Sequence, residues 1–125
     1  MSQRDIERFQ EERERLNEVV MKYASLGIKR FYGLDSQVYR QGALSKKTKE
    51  LLGLVASLVL RCDDCIKYHL LRCHQEGVQD AELEEALAIG LVVGGSITMP
   101  YLRRALQMWD DMAGSKKPRG QESGG

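Results

Sequence analysis

The chain has 125 residues, 42% of them hydrophobic and 30% charged, with 12 Gly, 2 Pro and 3 Cys. That balance describes one globular domain, not a disordered segment, with a core that buries about 65% of the unfolded surface. Nineteen Lys and Arg against eighteen Asp and Glu leave a formal charge of +1. This supplies neither the counterion release that drives nucleic-acid binding nor a polybasic patch for a membrane, so both partners are excluded.

The opening Met1-Ser2-Gln3-Arg4-Asp5 runs straight into charge, without the apolar segment of a signal peptide. The longest apolar run, Leu51 to Leu60, spans about ten residues where a membrane span needs about twenty. An odd number of cysteines in such a chain argues against a secreted disulfide framework and for catalytic or metal-binding thiols. The expected location is cytoplasmic.

In chain order, residues 1–24 predict an amphipathic helix in which Ile6, Phe9, Leu16, Val19, Val20 and Tyr23 share one face. The stripe is thin, which suits a surface helix or one that crosses to a neighbouring subunit. Ser25-Leu26-Gly27 offers its stop, with Gly27 as the residue that tolerates positive φ. A short segment, Ile28 to Gln41, follows, anchored by Phe31, Leu34, Val38 and Tyr39, and Gly42 ends it. Ser45 then caps the clearest helix start, with Leu44 placed as a hydrophobic staple. The run to Leu60 is apolar on nearly all sides and predicts the central buried helix, although a strand competes over Leu54 to Leu60. After a break near Arg61, a helix is expected from Asp63 to Gln75, ending at Gly77. Asp80 is expected to cap the next, Ala81 to Val93, which Gly94-Gly95 interrupts. The last helix starts near Ser96 or Thr98, with Pro100 in its first turn. From Gly114 onward Gly, Ser, Lys and Pro predict a flexible tail, residues 114–125. The fold class is all-α, a compact bundle of about six helices whose main domain covers residues 25–113.

Cys62-Asp63-Asp64-Cys65-Ile66-Lys67-Tyr68-His69 carries the chemistry. A Cys-x-x-Cys pair at a helix start brings two sulfurs within disulfide reach, and the amides of the first turn favour a thiolate. His69 lies one turn after Cys65 on the same face, placed to take the thiol proton or hold the thiolate by charge. Cys65 is therefore the candidate attacking sulfur and Cys62 the one that resolves its sulfenic acid. The competing view is two buried small residues beside a surface histidine. A zinc site of Cys62, Cys65, His69 and Cys73 is opposed by geometry, since the outer cysteines are about 16 Å apart along a continuous helix. Cys73 is expected to be a packed small residue, and His74 a solvated one.

Glu50, twelve residues before Cys62, together with Cys62-x-x-Cys65-x-x-x-His69, resembles the motif of AhpD-like alkylhydroperoxidases of the carboxymuconolactone decarboxylase superfamily. The likeness runs from about Phe31 to Asp111 and includes Leu44-Ser45, Glu82-Leu83-Glu84-Glu85-Ala86 and Gly94-Gly95. It implies an all-helical subunit assembled as a homo-oligomer, a trimer or a hexamer, with no metal or organic cofactor. It also implies that Cys65 attacks a hydroperoxide, Cys62 resolves, and His69 and Glu50 relay the proton, the carboxylate through a water. An external dithiol, lipoyl-bearing or thioredoxin-like, is implied as reductant. One position departs from the peroxidase pattern: Asp64 stands where the best-known members carry a His. Like charge from Asp63 and Asp64 disfavours a thiolate unless one of them turns away to cap the helix. The alternatives are disulfide exchange or redox sensing without peroxidase activity, and lactone decarboxylation, which has little need of a cysteine pair.

Overall fold

The computed structural model describes residues 2–114, in which six α-helices and no strand are found. The helices are α1 (Gln3–Tyr23), α2 (Leu26–Val38), α3 (Lys46–Val59), α4 (Asp63–Gln75), α5 (Asp80–Gly94) and α6 (Met99–Met112), with a 3-10 turn at Ser96–Thr98 before the last. The strand alternative for Leu54 to Leu60 is thereby settled in favour of helix. Apart from Gly114 itself, the tail expected at residues 114–125 lies outside the described residues. No helix among them is long and apolar enough to cross a membrane.

The core is built by α3, α4, α5 and α6, with Leu54, Leu58, Leu70, Leu83, Leu87 and Met108 fully buried between them. The outer helix α1 adds Ile6 to this cluster and rests Phe9 against it. Ser2 starts α1 as a capping box: the Asp5 amide donates to Ser2 Oγ (3.1 Å) and the Ser2 amide to Asp5 Oδ2 (3.0 Å). Ser45 caps α3 by accepting from the Thr48 amide at 3.1 Å, as its hydroxyl predicts.

Three local expectations are corrected. Gly27 does not stop α1. The helix ends at Ala24 in an extended conformation, and Gly27 lies in the first turn of α2. Asp80 is the first residue of α5, not its cap; Gln79 is the cap, and its amide donates to Glu82 Oε1 at 2.8 Å. The Asp80 carboxylate instead accepts from the Trp109 indole at 2.8 Å, tying α5 to α6. Finally, α3 is not buried all round. Glu50, Leu54, Ser57 and Leu58 face the core, whereas Leu52 and Leu60 are exposed.

The joint between α3 and α4 positions the cysteines. The Cys62 amide donates to Ser57 O (3.1 Å) and the Arg61 amide to Leu58 O (3.0 Å), the paired bonds of a Schellman ending. Arg61 occupies the left-handed position, φ +57°, where glycine is usual. Cys62, the next residue, is already the N-cap of α4. Two helices thus meet with no slack, and the cysteine pair is fixed at their corner.

Candidate active site

Cys62 and Cys65 form a disulfide with their Cα atoms 5.3 Å apart. Because Cys62 is the N-cap, its sulfur also accepts the Cys65 amide at 3.2 Å. Positive ends of peptide dipoles converge there, which favours negative charge on sulfur once the bond is opened. Cys65 is exposed and Cys62 only partly so.

His69 sits one turn further along α4 and is buried. Its Nδ1 donates to Oε1 of Glu50 at 2.9 Å. Glu50 is itself buried, in the second turn of α3. A carboxylate so placed needs partners, and it has two, because Arg72 Nε lies 3.5 Å from the other oxygen, Oε2. Arg72 is three residues after His69, so both reach Glu50 from one face of α4.

With Nδ1 committed to a carboxylate, which only accepts, the lone pair of Nε2 is left to receive a proton. The hydroxyl of Tyr39 approaches Nε2 at 3.4 Å. Burial raises the Tyr39 phenol above its usual pKa of 10.0, reinforced by the negative charges of Glu50 and Asp35. Tyr68 and the His69 ring meet in an edge arrangement, 5.1 Å between centroids, and the Arg13 guanidinium lies 3.9 Å from the centre of the Tyr68 ring. A groove lined by Arg13, Phe31, Tyr32, Asp35 and Tyr68 adjoins this cluster.

Gly53, one turn after Glu50 on α3, lets the imidazole and the phenol meet. A Cβ at that position would lie 2.6 Å from the Tyr39 hydroxyl and 2.7 Å from Cε1 of His69. Asp63 is turned aside from the sulfurs by a double contact to Arg104 of α6, 3.2 Å to each oxygen. Cys73 is fully buried, and burial, followed by the charges of Glu50 and Glu76, pushes its thiol up to about 12. His74 is exposed beside the Trp109 ring. Among the described residues no three His, Cys, Asp or Glu side chains are grouped to hold a metal ion.

The four residues singled out by sequence fall into two bonded pairs: Cys62 with Cys65 at the start of α4, and His69 of α4 with Glu50 of α3. Sequence reasoning assigned no site role to Tyr39, Gly53 or Arg72. Only Arg72 carried a usable signal, its spacing of three from His69.

The family model for the carboxymuconolactone decarboxylase family matches residues 28–108. Two crystal structures of a Thermotoga maritima protein are similar. One is 56% identical with a TM-score of 0.83, covering 94% of this chain and 98% of that one. The other is 59% identical with a TM-score of 0.81, covering 85% and 90%, and an involvement of that protein in antioxidative response is suggested with it. A Legionella pneumophila protein of the same family, 23% identical over 86% of this chain and 96% of its own, shares the fold at a TM-score of 0.78. An uncharacterized protein in the cox locus of Paracoccus denitrificans is 27% identical over 68% of this chain and 77% of that one.

Proposed function

The chain belongs to the carboxymuconolactone decarboxylase family, and on that footing we propose that it is a thiol-dependent peroxidase. The observation that carries this is the Cys62–Cys65 disulfide at a helix N-terminus, one turn from a buried histidine that is hydrogen-bonded to a buried carboxylate. In the reduced protein, Cys65 gives its thiol proton to Nε2 of His69, and Glu50 stabilises the imidazolium through Nδ1. The thiolate attacks the distal oxygen of a hydroperoxide. The O–O bond breaks, the departing alkoxide is protonated to an alcohol, and Cys65 becomes a sulfenic acid. Cys62 then attacks the Cys65 sulfur, releasing water and closing the disulfide.

An external dithiol of the lipoyl-bearing or thioredoxin-like class supplies two electrons and two protons to reopen the pair. The exposed Cys65 sulfur is the point of attack. Cys62, whose sulfur accepts the Cys65 amide, leaves as the stabilised thiolate. A reducing compartment maintains such dithiols, so a cytoplasmic location is part of the same proposal.

The same account makes the working unit a homo-oligomer, a trimer or a hexamer. Its support is apolar surface left open on the single chain. No residue of α2 is buried, leaving Phe31 and Leu34 exposed, and Val92 and Leu60 are 83% and 75% exposed. Patches of this kind mark association surfaces.

The test is trapping of the intermediate. Reduced Cys62→Ser protein treated with one equivalent of cumene hydroperoxide and dimedone should gain a single dimedone adduct on Cys65, located by peptide mass spectrometry. No adduct on Cys65, under conditions where a known sulfenic acid is trapped, would overturn the function.

A further inference from the structure

The proton delivered to the departing oxygen needs a donor, and the fold holds one in place. Tyr39 belongs to neither of the helices that carry the cysteines, His69 and Glu50, yet two devices direct its hydroxyl to the imidazole. Lys49, the residue before Glu50, donates from Nζ to Val38 O (2.8 Å) and Arg40 O (2.6 Å), clamping the backbone on both sides of Tyr39. Gly53 leaves the notch that the hydroxyl and the imidazole share. One turn of α3 therefore places Tyr39 through its neighbours and His69 through Glu50. Packing alone does not require a hydroxyl 3.4 Å from Nε2.

We propose that the Tyr39 hydroxyl is the general acid that protonates the leaving oxygen of the hydroperoxide. The role rests on the peroxidase function above and completes its proton path. The Cys65 thiol proton passes to Nε2 of His69. As the thiolate takes the distal oxygen, the O–O electron pair goes to the proximal oxygen, which takes the Tyr39 proton. The phenolate then recovers a proton from Nε2. The balance is one thiol and one hydroperoxide converted to one sulfenic acid and one alcohol. A raised phenol is suited to this step: it stays protonated at neutral pH, and an alkoxide is a stronger base than a phenolate.

A general acid matters only when the leaving group needs a proton, which separates it from a structural support. Reduced wild-type and Tyr39→Phe chains would be mixed with tert-butyl hydroperoxide, whose leaving group is an alkoxide, and with peracetic acid, whose leaving group is acetate. Loss of the Cys65 thiol is followed in a single turnover. Tyr39→Phe is expected to slow the first reaction about 100-fold, the low end of what a positioned acid contributes, and the second by less than about twofold. Lys49→Gln, which releases the clamp, should show the same selective loss, and far-UV circular dichroism checks that both variants fold. Equal rates for wild type and Tyr39→Phe with tert-butyl hydroperoxide, or equal losses with both oxidants, would overturn the assignment. A wild type inert to both oxidants would instead remove the peroxidase function, and the role of Tyr39 with it.

Discussion

His69 presents Nδ1 to Oε1 of Glu50 at 2.9 Å although the two residues are nineteen apart in the chain. Both are buried, and the contact fixes the imidazole's orientation and leaves Nε2 as its proton acceptor. Arg72 at 3.5 Å from the second oxygen offsets the cost of burying the carboxylate. The site is thus built between two helices, with a sulfur pair at the start of α4 and a buried carboxylate in the second turn of α3.

Gly53→Ala tests how much the Tyr39–His69 contact depends on open space. The added Cβ would meet the Tyr39 hydroxyl at 2.6 Å and the imidazole at 2.7 and 2.9 Å. Overpacking costs about 1–3 kcal/mol, and replacing glycine within a helix returns about 1 kcal/mol. Stability should therefore fall by no more than about 2 kcal/mol. Hydroperoxide-driven thiol loss should fall at least about tenfold, as expected when a general base is displaced. Thermal melting and thiol loss measured side by side would show the split. An active Gly53→Ala chain would mean that the Tyr39–His69 contact is dispensable.

The ends of α3 and α4 form a matched pair. Both close with Schellman bonds, the first through Arg61 at φ +57° and the second through Gly77 at φ +78°. A left-handed L-residue costs about 1–2 kcal/mol, and glycine loses about 0.5–1 kcal/mol more backbone entropy on folding. Arg61→Gly should be neutral or stabilising by up to about 1.5 kcal/mol, and Gly77→Ala destabilising by about 1 kcal/mol. Urea unfolding midpoints check both signs. A clear loss of stability in Arg61→Gly would show that the arginine side chain contributes more than its backbone costs.

Much of this corner was legible because it obeys local rules. Ser45 caps by its hydroxyl, Gly77 by its missing Cβ, and Cys65 and His69 share a face by their spacing. The joint at Arg61 was visible as a break but not as a left-handed turn, because arginine carries no conformational signature there. Gly27 and Asp80 misled for the same reason: a glycine and a cap-forming carboxylate are permitted at a helix boundary without marking it. Tyr39 read as an apolar anchor, since its role comes from a lysine ten residues later and a histidine thirty residues later. Such contacts depend on how helices dock, which no short pattern encodes.

Cys73 should remain silent while its neighbours react. Its thiol is pushed up to about 12 by burial and by the charges of Glu50 and Glu76, so at pH 8 only about one molecule in ten thousand carries the thiolate. Iodoacetamide should label two cysteines in the reduced native protein and all three in urea. Native labelling of Cys73 at a rate like that of Cys65 would contradict its burial.

Acid should weaken the start of α5. The Lys47 side chain, and next the Gln79 amide, hold Glu82 below its ordinary value of 4.5. A carboxyl lowered in the folded state contributes stability that is present above the unfolded value and is lost as pH falls through the folded one. The melting temperature should therefore drop between pH 5 and pH 3, and by less in Glu82→Gln. An equal drop in both proteins would assign acid sensitivity elsewhere.

The central claim is tested most directly by counting free thiols on fully reduced protein before and after one equivalent of an organic hydroperoxide, over seconds to minutes. The account predicts rapid loss of two thiols per chain with Cys73 retained, formation of the Cys62–Cys65 disulfide, and no such loss in Cys65→Ser. Three thiols surviving unchanged in the wild type would contradict it.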